Sequence, residues 1–281
     1  MARSASNSDS IKRGDTDTAI RAGRGGASAA IETVVRHDRL VTAAALSLIT
    51  ALAWAWLLAG AGMDMDMDGM DPDMVMPMDW SPGYAAVMFF MWWIMMIAMM
   101  LPSAAPMILL FGLVNRRSCE QGAPWVPTTI FASGYLIAWG GFSLVATLLQ
   151  WWFEQAGWLS MAMASANRWL SGGILIAAGI YQLTPLKHAC LRHCRGPVEF
   201  ISQHWRPGPG GALRMGLEHG AFCVGCCWVV MGLLFYGGVM NLYWIVGLAV
   251  LVLLEKIVPT GHWLGSLSGV GFLLWGAVVL I

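Results

Sequence analysis

The chain has 281 residues, of which 58% are hydrophobic and 11% charged, and its formal net charge is zero. Soluble domains carry about a quarter charged residues, so an ordinary soluble domain is excluded, and the balanced charge offers nothing to a nucleic acid. Several apolar runs reach the roughly 20 residues that cross a bilayer, so the expected fold class is all-α, a polytopic transmembrane helical bundle.

Residues 1–39 are polar, contain Gly, Ser and Arg, and are nearly free of large apolar side chains. They read as a disordered tail, too long and too mixed in charge for a simple signal peptide. Residues 40–281 read as the transmembrane domain, with seven spans expected at 40–61, 84–113, 128–150, 169–183, 219–238, 242–255 and 263–281. Pro102 and Pro106 should kink the later half of the second span. Orientation follows from Lys and Arg, which favour the cytoplasmic side. With the amino terminus inside, seven fall in the tail, and Arg116, Arg117, Lys187, Arg192, Arg195, Arg206, Arg214 and Lys256 also lie inside. Only Arg168 is left outside, so fifteen of sixteen obey the rule and the carboxyl terminus is expected outside.

The first external connection, 63–80, is rich in Met and Asp. Positions 63–78 alone hold seven methionines and five aspartates. Thioether sulfur is a soft ligand that prefers Cu(I), whereas carboxylates suit harder ions. Acidic linkers ordinarily use Ser, Gly, Glu and Pro, so Met at nearly every second position points to metal collection. Met63, Met65, Met67 and Met70 are the candidate ligands, on the periplasmic side if the host is Gram-negative.

The second span carries Met88, Met91, Met95, Met96, Met99, Met100 and Met107. Met91, Met95 and Met99 are four apart and share a helical face, and Met96 with Met100 makes a second such pair. The spacing resembles the Met-x-x-x-Met pattern of high-affinity copper transporters. A stack of thioethers could pass a soft cation through lipid without burying a net negative charge. Ordinary packing also uses Met, and Trp92 and Trp93 accompany it.

The connection at 184–218 is expected to be cytoplasmic and rich in Cys, His and Arg. It contains His188, Cys190, His193 and Cys194, with the two cysteines at i, i+4 if helical. It is neither a Cys-x-x-Cys pair nor a haem-attachment motif, and its arginines alone suit contact with lipid headgroups. The fifth span opens Arg214-Met-Gly-Leu-Glu-His-Gly-Ala-Phe-Cys-Val-Gly-Cys-Cys-Trp. His219, Cys223 and Cys226 or Cys227 then fall at i, i+4 and i+7 or i+8, on one face, with Met215 one turn earlier. Imidazole and thiolate at this spacing suit Cu(I) or Zn(II). All six cysteines fall on or near the cytoplasmic side, where disulfides are disfavoured. Glu218 could orient His219 or neutralise Arg214. Glu255 and Lys256 end the sixth span, where an intramembrane carboxylate is a functional candidate and an interfacial place is the alternative. No Ser/His/Asp set, phosphate loop or nucleotide motif occurs, and no internal repeat of the kind found in secondary carriers.

Several of these segments form a recurring set: Met91-Trp-Trp-Ile-Met-Met-Ile-Ala-Met-Met-Leu-Pro-Ser; Tyr135-x3-Trp139-x2-Phe142-Ser143; Ala178-Gly-Ile-Tyr-Gln-Leu-Thr-Pro-Leu-Lys-x2-Cys-Leu-x2-Cys-Arg; Cys223-x-Gly-Cys-Cys-Trp; Gly238-Val-Met-Asn-Leu-Tyr-Trp; and Glu255-Lys. Over about 84–257 the chain resembles the predicted metal-binding integral membrane proteins grouped as domain of unknown function 2182. The resemblance implies metal binding and names no metal or reaction.

The residues together point to a multi-pass protein of a bacterial inner membrane that binds Cu(I), with Zn(II) and haem as lesser candidates. Metal would pass from the outer loop along the Met face to the Cys/His cluster. A first alternative is a non-transporting chaperone or assembly factor that loads a membrane metalloenzyme or exchanges metal with a copper chaperone. A second is a membrane oxidoreductase with a metal or haem held by His188, His219 or His262.

Overall fold

The structure is a computed structural model that describes residues 39–60, 80–122, 126–160, 163–258 and 261–281, with backbone only at 261 and 262. Contacts divide the chain into residues 1–44, of which 39–44 are described as the first turns of the first helix, and residues 45–281, to which every contact and site below belongs. The helices are α1 (Arg39–Leu58), α2 (Pro82–Glu120), α3 (Thr128–Gln155), α4 (Arg168–Leu183), α5 (Pro185–Arg195), α6 (Pro197–His204), α7 (Gly208–Gly232), α8 (Leu234–Gly237), α9 (Leu242–Ile257) and α10 (Gly261–Leu280). Apart from an isolated antiparallel bridge between Leu159 and Ser165, the regular structure among the described residues is helical.

Short polar side chains start four of these helices by satisfying first-turn N–H groups. Ser81 accepts from Tyr84 N at 3.2 Å, Asn167 from Trp169 N at 2.8 Å, Thr184 from Lys187 N at 3.3 Å and Asn241 from Tyr243 N at 3.1 Å. Pro82 and Pro185 follow two of these caps, where a missing N–H costs nothing.

Five helical stretches are long and apolar enough to cross a membrane: α1, α2, α3, α7 with α8, and α10. α4 and α5 qualify only together and are bent by 65°. The bend has a local cause, since Thr184 is extended at ψ 146° and a residue before proline is pushed out of the helical region. α9 has 16 residues, about 24 Å of helix, against a hydrocarbon core of about 30 Å. Five candidate spans, or up to six if the bent pair is one, thus meet the length and apolarity of a membrane crossing, against seven expected. The 184–218 connection is itself helical, as α5, α6 and the first turns of α7, the last starting eleven residues before the expected span.

α2 continues through both prolines. Pro102 has no N–H, which leaves the Ala98 carbonyl without its helical donor. Trp54 of α1 donates its indole N–H to that oxygen at 3.1 Å, and so seats α1 against α2. α3 and α7 touch backbone to backbone, because a Cβ on Gly134 would lie 2.8 Å from Leu217 N. α4 and α10 meet in the same way through Gly179 and Gly269, where a Cβ on Gly179 would lie 2.7 Å from the Gly269 oxygen. Small residues allow such approach between apolar helices. The α3–α7 contact brings Tyr135 beside Cys223.

Candidate metal centre

Cys223, Cys226 and Cys227 are buried on α7. The Cys194 sulfur of α5 comes alongside those of Cys223 and Cys226. Cys227 Sγ lies 4.0 Å from Met100 Sδ of α2. Tyr135 of α3 places its hydroxyl 3.2 Å from Cys223 Sγ and donates to the Met100 carbonyl at 3.1 Å. Lys256 of α9 closes the group. Its ammonium is 3.0 Å from Cys223 Sγ, 3.8 Å from Met100 Sδ and 3.0 Å from Ser103 Oγ. Five helices thus converge on one sulfur-rich interior.

The thiols are not splayed toward a common point. Cys226 and Cys227 both donate to the Cys223 carbonyl at 3.1 Å. Such back-bonding occupies each S–H with its own helix. Among the described residues, accordingly, no three His, Cys, Asp or Glu side chains stand in metal-holding geometry.

His219 sits one turn before Cys223 and is buried, with its ring centroid 5.8 Å from that of Tyr135, 6.2 Å from Phe131 and 5.4 Å from Phe200. Its Nδ1 is buried with no hydrogen-bond partner among the described residues. A buried orphan nitrogen is costly, and coordination to a metal would satisfy it. Cys190 lies one layer out, where its sulfur would be 2.9 Å from a Cβ on Gly225. His188 and His193 each engage Nδ1 with a carbonyl of their own helix, Thr184 and Ala189, at 2.9 Å. The His193 ring also stacks on Phe222 at 4.2 Å, outside the cysteine group. Met91, Met95 and Met99 are all buried in the bundle. Met63, Met65, Met67 and Met70, the tail up to residue 38 and the His262 side chain lie outside the described residues.

Glu218 neutralises arginines, accepting from Arg206 at 2.9 Å and Arg214 at 3.1 Å. Glu255 and Lys256 are buried in the bundle. Glu255 pairs with Lys187 of α5 at 2.6 Å and accepts from Gln182 at 2.7 Å. Sequence reasoning did not assign Met100, Tyr135 or Lys256 to the site. Their signals were present in the Met96/Met100 pair, the Tyr135 motif and the Glu255-Lys dipeptide, but their convergence is tertiary.

The described residues thus form helices of membrane-crossing length around a thiol and thioether interior. A family model described as PpoB2, copper chaperone, matches residues 89–279. The match covers more than half of the chain, which therefore belongs to the PpoB2 copper chaperone family. It supplies the metal that the resemblance in the motifs leaves unnamed. No curated protein and no solved structure matches the chain.

Proposed function

We propose that this chain is a copper chaperone of a bacterial inner membrane that relays Cu(I) from its outer Met/Asp loop, along α2, to the buried cysteines, for hand-over to a membrane metalloenzyme or another copper carrier. The observation that carries the reading is the gathering of four thiols, the Met100 thioether and an ammonium from four helices into one largely buried interior. Thioethers and thiolates select Cu(I), and thiolates hold it more tightly, so transfer from Met to Cys runs downhill. Met91, Met95 and Met99 fill the buried stretch between, at one helical turn per step.

A bilayer setting is supported by the bundle's outer faces. Leu48 and Leu52 of α1, Leu144 and Leu148 of α3, and Leu267, Leu274 and Val278 of α10 are each more than half exposed. Apolar surface this continuous calls for lipid or a partner over it.

Cys223→Ser combined with Cys226→Ser should remove most of the bound Cu(I) in competition with a chelator. Unchanged stoichiometry and affinity would show that the cluster is not the site. Reconstituted vesicles separate chaperone from carrier, because a chaperone retains its Cu(I) and does not accumulate it in the lumen.

A further inference from the structure

A second sulfur cluster lies nearer the amino end of α2 than Met100 does. Gln150 of α3 is fully buried, and its amide nitrogen faces three acceptors at once. These are Met88 Sδ of α2 at 3.3 Å, Met163 Sδ of the α3–α4 connection at 3.4 Å and Glu154 Oε1 at 2.8 Å. An amide carries two hydrogens, so one acceptor has no proton to take. The two sulfurs share a neighbour and lie within about 6.7 Å of each other by the sum of those distances.

The surroundings hold this arrangement in place. Trp92 donates to Gln150 Oε1 at 2.7 Å, which fixes the amide, and Trp80 donates to Glu154 Oε2 at 2.7 Å, which fixes the carboxylate. Met163 adopts φ 53°, the only positive φ at a non-glycine among the described residues. Such a backbone costs energy and persists where the surroundings impose it. Met163 N donates to Ser160 O at 2.8 Å, and nearby Ser165 N donates to Phe235 O at 2.8 Å. The result is a thioether turned inward from a connection that is otherwise a plain turn.

We propose that Met88, Met163 and Glu154 form a first soft-metal site, at which Cu(I) enters the bundle. Three acceptors converge where a donor nitrogen now sits, and a cation displacing that amide would meet two thioethers and one carboxylate. Thioethers suit Cu(I), and the single carboxylate cancels its single charge, so the loaded site is neutral in the low-dielectric interior. Trp80 follows the Met/Asp-rich stretch directly in sequence. Met100 is twelve residues further along α2, about 18 Å at helical rise, with the methionine stripe between. No oxidation or reduction is involved, since the ion changes ligands only. The proposal rests on the reading of the chain as a Cu(I) chaperone and names its point of entry.

The test is a silver nitrate titration of the full-length protein in lipid nanodiscs, with Ag(I) as a redox-stable soft ion. Methionine methyl groups carry 13C, and signals are assigned by single Met→Leu changes. The Met88 and Met163 signals should move together, and Met163→Leu should abolish the Met88 shift. Glu154→Gln keeps the shape but removes the charge, and should weaken binding at least about tenfold, as loss of a supporting partner does at metal sites. Signals that stay fixed while other methionines saturate, or that move independently, would overturn the proposal. Bound Cu(I) at the cysteines, measured on the same Leu variants, reports folding. If the cysteines still load while Met88 and Met163 stay silent, the entry site is wrong and the chaperone reading stands. If Met88 and Met163 respond but Cys223→Ser with Cys226→Ser leaves Cu(I) loading intact, the inner cluster is wrong.

Discussion

Lys256 places a positive charge 3.0 Å from Cys223 Sγ inside the bundle, where an uncompensated ion is expensive. Its role follows from charge arithmetic. Cu(I) between two thiolates is an anion of charge minus one, and one ammonium makes the loaded centre neutral. Lys256→Met keeps the apolar stem and removes the charge, so Cu(I) should bind the cysteines at least about tenfold more weakly. Chelator competition measures this, and tighter binding in the variant would mean that the ammonium merely competes for the place. The stripe of His219 and the three α7 cysteines was legible from spacing, because helical periodicity alone puts i, i+4 and i+8 together. Cys194 was legible as a ligand type but not as a neighbour of Cys223. Met163 gave no signal at all, since a lone methionine in a turn has no period to read.

At the scale of the element, α2 joins the two sulfur clusters and is lined by buried thioethers between them. Replacing Met91, Met95 and Met99 by Leu keeps volume and helix propensity nearly constant. The triple variant should fold and bind Cu(I) at the cysteines, yet load them more slowly when metal is offered from the outer side. Equal loading rates in reconstituted vesicles would reduce these methionines to packing. Most helices were readable from apolar length, whereas the caps at Ser81, Asn167, Thr184 and Asn241 emerged only with the structure. The helices of the 184–218 connection were not readable, because their charges mask a turn-by-turn apolar face that only packing on α7 reveals. The passage of α2 through Pro102 also depended on a distant residue, the Trp54 indole that takes up the freed carbonyl.

For the whole molecule, orientation decides the direction of the relay. Fifteen of sixteen Lys and Arg fall on one side under the expected topology, which puts Ser81 and the Met/Asp loop outside. Ser81→Cys, in a background without native cysteines, should react with an impermeant maleimide in intact spheroplasts. Labelling only after lysis would invert the orientation and the relay with it. The change removes an N-cap on α2 and should cost about 1 kcal/mol, too little to unfold the bundle. The geometry is consistent with this layout: Met88, the carboxyl end of α3, Met163 and Phe235 meet at one end of the bundle, all assigned outside by the charge rule.

Two successive residues of α9 reach in different directions. Glu255 grips Lys187 of α5, and Lys256 touches Cys223 of α7. α5 and α7 supply the two halves of the cysteine cluster, so one turn of α9 acts as the clasp that keeps them in register. Mechanically, the cluster has no slack of its own. A change at Glu255 that never touches sulfur should shift Cys194 against Cys223, and loss of the clasp should be felt as a loosened grip on copper before any helix unwinds.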